Sequence, residues 1–149
     1  MASLTEVTAK VQRILANNWR VELRASGGFL VRLESTVCRI ECFQKPDGGD
    51  DDPVFISVRA PVLRDVPVTD DLCRWIATEG TNYRFGKAHL FYDEGETTGQ
   101  LYFSHTLLGD YLDAEELNWA VGAVGFTADR LDDELLPTFG GRRSADPPG

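Results

Sequence analysis

A chain of 149 residues, 42% of them hydrophobic, is long enough for one well-buried core and too short for two ordinary domains. Its 24 acidic and 15 basic residues leave a net charge of −9, which repels a nucleic-acid backbone unless a basic patch is segregated, and no run of the sequence supplies one. No stretch approaches the roughly 18 apolar residues of a membrane helix, and MASLTEVTAK lacks the apolar run of a signal peptide, so a cytoplasmic location is expected.

Ser3 and Glu6 form a capping-box signature, and Leu4, Val7, Val11, Ile14 and Leu15 make one apolar stripe, which predicts a first helix ending near Asn17 and Asn18. WRVELR alternates weakly, and Ser26, Gly27 and Gly28 mark a turn before GFLVRLE and TVCRIECF, which read as neighbouring antiparallel strands. QKPDGGDDDP follows as a loop, then the strand VFISVRAPVL. The short spacings favour hairpins over crossover helices. Pro67, a Thr69 cap and Asp70 and Asp71 announce a second helix with Leu72, Cys73, Trp75 and Ile76 turned inward. After Gly80, FGKAHLFYD and GQLYFSHTLL form two more strands around the loop from Glu94 to Gly99.

The longest helix runs from Asp113 to Leu136. Asp113 and Glu116 repeat the capping box, and Leu117, Val121, Val124, Ala128, Leu131 and Leu135 recur at steps of four and three, so one face must be buried. Trp119 and Phe126 point almost oppositely and need a separate partner. Gly122 and Gly125 each cost about 1 kcal/mol relative to Ala inside a helix, so something is expected to pack close to them. Asp132, Asp133 and Glu134 crowd the last turn, where the macrodipole disfavours negative charge, and they are candidates for attracting a basic partner. The order is helix, three or four strands, helix, two strands, helix. That is an α+β fold, an antiparallel sheet of five to six strands with helices packed on it, in one domain spanning 1–141. The tail GRRSADPPG is too polar and too rich in Pro and Gly to pack, and 142–149 is expected to be disordered.

Catalytic signatures are missing: there is no Gly-rich phosphate loop, no HExxH, no CxxC and no GxSxG elbow. Cys38 and Cys42 lie about 13 Å apart along one strand and cannot bridge, Cys73 belongs to a helix, and all three read as buried small apolar residues. His89 and His105 stand on the two strands of the last hairpin, placed to face each other, but zinc wants three or four ligands. Asp47, Asp50, Asp51 and Asp52 lack the alternating spacing and distal glutamate of a calcium loop and read as a solvated segment. No metal, no cofactor and no enzymatic activity are expected.

The runs APVLRDVPVTDDL, FGKAHLFYD, SHTLLGDYLDAEEL and ADRLDDELLPTFGG, in this order, resemble the domain shared by bacterial YbjN-type proteins and type III secretion chaperones, from the first helix to Gly141. The resemblance implies a small acidic peptide-binding chaperone of the cytoplasm, commonly a homodimer, with a client protein or peptide as partner. Trp119, Phe126, Asp132, Asp133 and Glu134 are the expected partner-binding residues. Two other readings stand beside it: an immunity or regulatory protein that binds a basic partner, and an enzyme built on a carboxylate and histidine pair.

Overall fold

The computed structural model describes residues 2–34, 36–45 and 52–144. Helix α1 (Leu4–Asn18) opens the chain, followed by β1 (Val21–Arg24), β2 (Gly28–Arg32), β3 (Val37–Phe43) and β4 (Phe55–Pro67). Helix α2 (Asp70–Thr78), β5 (Lys87–Phe91), β6 (Thr98–Leu108) and α3 (Ala114–Phe139) complete it. Four strands therefore precede α2, and the six form one antiparallel sheet in the order β1-β2-β3-β4-β6-β5. Three and four residues join β1 to β2 and β2 to β3, whereas eleven residues, 44–54, separate β3 from its antiparallel partner β4. Helix α2 separates β4 from the last hairpin, and it is β6, not β5, that pairs with β4, leaving β5 at the edge.

The caps read from the sequence are in place. Ser3, Thr69 and Asp113 accept from the amides of Glu6, Leu72 and Glu116, satisfying donors that the first helical turns leave orphaned. Helices α1 and α3 bury their predicted stripes, apart from the exposed Leu4, against one face of the sheet, where Phe29, Val31, Ile40, Ile56, Val58, Leu101 and Phe103 meet Val7, Val11, Leu117, Val121, Val124 and Leu131. Fully burying each large side chain is worth roughly 1.5–3 kcal/mol, so the core lies between these layers. Among the described residues the opposite face of the sheet carries no helix, and its side chains are half-buried or exposed except Ser104 and Pro61.

Several expectations are corrected. Strand β4 continues past Leu63 to Pro67, with register shifts between Pro61 and Leu63 and between Leu63 and Val66, and with Asp65 at φ 51°. The irregularity turns Arg64 and Asp65 away from the regular ladder. In α2 only Leu72 is buried; Cys73, one residue on and turned about 100° around the helix, is exposed, and Trp75 and Ile76 are half-buried. Cys42 is likewise only half-buried. Helix α3 runs through Pro137 to Phe139, so Asp132 to Glu134 lie before its last turn.

The residues after Gly141 do not all behave as a tail that fails to pack. Gly140 and Gly141 take φ 79° and 86°, a conformation open to glycine, and turn the chain back along β4. Arg142 then exchanges backbone hydrogen bonds of 2.9 and 2.8 Å with Arg64, and its guanidinium donates to Asp65 at 2.7 Å. Residues 145–149, and the loop positions Asp47, Asp50 and Asp51, lie outside the described residues.

Candidate functional site

Among the described residues two surfaces stand out once the core is closed, and the first is on α3. Leu117 to Leu135 occupy one side of the helix, so Trp119 and Phe126, two turns apart on the other side, cannot reach the same core. They are 62% and 56% exposed, and neither α1 nor a loop covers them. Between them lies a shallow apolar cleft of about 390 Å³ lined by Asn118, Trp119, Gly122, Ala123, Phe126 and Thr127. Trp19 borders it: its indole donates to Asn118 at 3.0 Å, and its ring lies 3.8 Å from where a Cβ on Gly122 would stand. Gly122 thus floors the cleft with room for a methyl group at ordinary contact distance from Trp19 and Phe126, looser than the close packing expected there. At Gly125 that expectation is met, since a Cβ would fall 1.8 Å from Leu33 and 3.0 Å from the Cys38 sulfur.

The acidic group on α3 is engaged by the chain itself. Arg143 lies 2.8 Å from Asp133 and 3.7 Å from Asp132, and Arg130 pairs with Glu134 at 3.4 Å. Asp132 is only 2% exposed. Burial first, then the neighbouring charges of Asp133 and Asp129, push its carboxyl up to about 6, with Arg143 pulling the other way. The basic segment drawn to these acids is the chain's own, so Trp119 and Phe126 are left to carry the partner-binding proposal.

The second surface is the uncovered face of the sheet. Register places Glu22, Leu30, Arg39, Arg59, Ser104 and Lys87 in one row across all six strands. Residues paired this way point to the same side. His89 pairs with Tyr102 on this face, whereas His105 pairs with Val58 on the core face, so the two histidines do not face each other. Side chains alternate along a strand, and the odd spacing between Tyr102 and His105 puts them on opposite sides. His105 instead packs on Phe85 with ring centroids 5.4 Å apart. His89 Nε2 hydrogen-bonds the Ser104 hydroxyl, and no carboxylate among the described residues hydrogen-bonds its other ring nitrogen. Among the described residues no three His, Cys, Asp or Glu side chains gather as a metal site.

Sequence reasoning missed the basic row, because Arg39, Arg59 and Lys87 are scattered along the chain. The alternation of each strand marked these side chains as outward-facing, but only the register brings them side by side.

Comparison with known proteins agrees with this architecture. The family model described as "T3SS (YopN, CesT) and YbjN peptide-binding chaperone 1", TY-Chap1, matches residues 5–147. No curated protein matches the chain in sequence. The crystal structure of YbjN from E. coli, a proposed transcription regulator, is similar with a TM-score of 0.61, covering 87% of this chain and 91% of that chain at 12% identity. At that identity the likeness speaks for the fold. No helix is long and apolar enough to cross a membrane among the described residues. The match over nearly the whole length settles kinship: the chain belongs to the TY-Chap1 family of peptide-binding chaperones.

Proposed function

We propose that the protein is a non-enzymatic chaperone-like module of the bacterial cytoplasm that seats apolar anchors of a client segment in the α3 cleft. The observation that carries this reading is the pair of exposed aromatics, Trp119 and Phe126, flanking a glycine floor on a helix whose other side is fully committed to the core. Singly exposed apolar residues are ordinary, but an apolar cleft flanked by two large side chains is the kind of contiguous patch that marks a binding surface. Their placement suits an amphipathic helix laid against α3, the mode in which apolar residues at i, i+3, i+4 and i+7 serve as anchors. An enzymatic reading gains no support from the His89 and Ser104 pair, which lacks an orienting carboxylate. The reading of an acidic blocker of a basic partner loses its centre, since Arg143 already holds Asp132 and Asp133.

The test is Trp119→Ser with Phe126→Ser. Both side chains are more than half exposed, so the double variant is expected to fold with a thermal midpoint close to that of the native protein. Its affinity for a fluorescent amphipathic helical peptide with leucines at the anchor spacing is expected to fall about tenfold or more, since each lost burial is worth roughly 1.5–3 kcal/mol. Sedimentation of both proteins asks the same of a homodimer built on this face. Unchanged peptide binding and unchanged mass in a folded double variant remove the cleft as the site.

A further inference from the structure

We propose that the uncovered face of the sheet, along the row Arg39, Arg59 and Lys87, docks an extended acidic segment of the client. This rests on the peptide-binding reading and adds the chemistry of a second contact surface.

Arg39 and Arg59 stand directly opposite each other on β3 and β4, an arrangement of like charges that weakens a sheet unless something neutralises it. Among the described residues none of Arg39, Arg59 and Lys87 has an ion-pair partner. The nearby acids of this face are already taken. Glu41 pairs with Arg24 at 3.1 Å and Glu22 with Arg32 at 2.9 Å. A protein of net charge −9 therefore keeps a segregated row of cations on the one face of its sheet that no helix covers.

The neighbouring side chains shape the row. The Arg59 guanidinium lies 5.0 Å from the centre of the Tyr102 ring, Tyr102 meets Phe91 edge-on at 5.5 Å, and Phe91 lies 5.6 Å from His89. At the β5 end a cavity of about 520 Å³ is lined by Arg84, Lys87, His89, Ser104 and Thr106 together with Tyr83 and His105 from the core side, so it spans the edge of the sheet and adds another cation beside the row. The field is felt locally: burial first, and then the charges of Lys87 and Arg59, hold the His89 imidazole below its ordinary value.

Spacing selects the ligand. Arg39 and Lys87 are three strand steps apart, about 14 Å at roughly 4.8 Å per step, and carboxylates at i and i+4 of an extended peptide lie about 13 Å apart. Guanidinium forks match carboxylates with two parallel hydrogen bonds. Charges beyond about 10 Å are screened at ordinary salt, so a peptide with a few acids feels the row, whereas a nucleic acid with a phosphate at every step also meets the surrounding acidic surface.

The experiment uses the full chain and a fluorescent peptide of about 12 residues, alternating Glu and Thr, long enough to cross the row. Its partners are the matched Gln and Thr peptide, a thymidine oligonucleotide of similar length, and the amphipathic leucine peptide. The acidic peptide is expected to bind, to weaken as salt rises, and to lose about tenfold affinity in Arg59→Glu and in Lys87→Glu. Lys87 is exposed at an edge strand, so its variant stays informative if Arg59→Glu fails to fold. Both variants are expected to keep the leucine peptide. Equal binding of the Gln peptide, indifference of both variants, or tighter binding of the oligonucleotide than of the acidic peptide overturns the proposal. Loss of the acidic peptide alone leaves the α3 cleft standing; failure of both peptides brings down the peptide-binding reading itself.

Discussion

Two glycines on one helix are expected to respond in opposite directions to the same substitution. At Gly122 an added Cβ meets nothing closer than 3.8 Å, so Gly122→Ala keeps the full gain in helix propensity, about 0.8–1 kcal/mol. At Gly125 the added Cβ stands 1.8 Å from Leu33 Cδ1 and 3.0 Å from the buried Cys38 sulfur. The half-buried Leu33 side chain is able to swing aside, but Cys38 lies on a central strand in the core and has nowhere to go. Overpacking of this kind costs typically 1–3 kcal/mol, which cancels or exceeds the propensity gain. The two variants should therefore differ by about 1–3 kcal/mol, with Gly122→Ala the more stable and Gly125→Ala at or below the native protein. Urea unfolding followed by far-ultraviolet circular dichroism reads the difference as separate midpoints at unchanged slope. Equal stabilisation by both substitutions refutes the packing of α3 against β3 and Leu33 as described.

Asp132 should make stability depend on pH in a defined window. Its carboxyl rises from 3.8 to about 6 on folding, so between those values the folded chain holds a proton that the unfolded chain has released. Stability is then highest below the lower value and falls as pH rises towards the upper one, by up to about 1.4 kcal/mol per pH unit. Asp132→Asn is expected to flatten that fall in urea titrations across the window, and an unchanged slope counts against it. The cysteines should separate by accessibility: Cys73 is exposed, Cys42 is half-buried with its thiol raised mainly by burial, and Cys38 is pushed up to about 12 by burial. Since the thiolate is the nucleophile, native-state alkylation read by mass spectrometry should mark Cys73 first and Cys38 only after unfolding. Early modification of Cys38 contradicts its burial.

What the sequence determined by itself was whatever depends on neighbours three or four residues away. Ser3, Thr69 and Asp113 cap their helices because a side-chain oxygen reaches an amide within its own first turn, and the stripe from Leu117 to Leu135 is buried because helical periodicity leaves no other choice. The outward position of Trp119 and Phe126 followed from the same geometry. Only the tertiary structure decided the rest. Whether Gly122 or Gly125 is crowded depends on Leu33, Cys38 and Trp19, which arrive from distant parts of the chain. The histidines fall on opposite faces, and Arg39, Arg59 and Lys87 share one, because strand register fixes which residues meet. Arg142 and Arg143, read as part of a loose tail, dock on Asp65, Asp132 and Asp133 because two glycines turn the chain back along β4. Caps and periodicity are local interactions written in consecutive residues, whereas register is chosen by the burial of whole strand faces against helices elsewhere in the chain, and a shift of one residue would reverse every outward side chain.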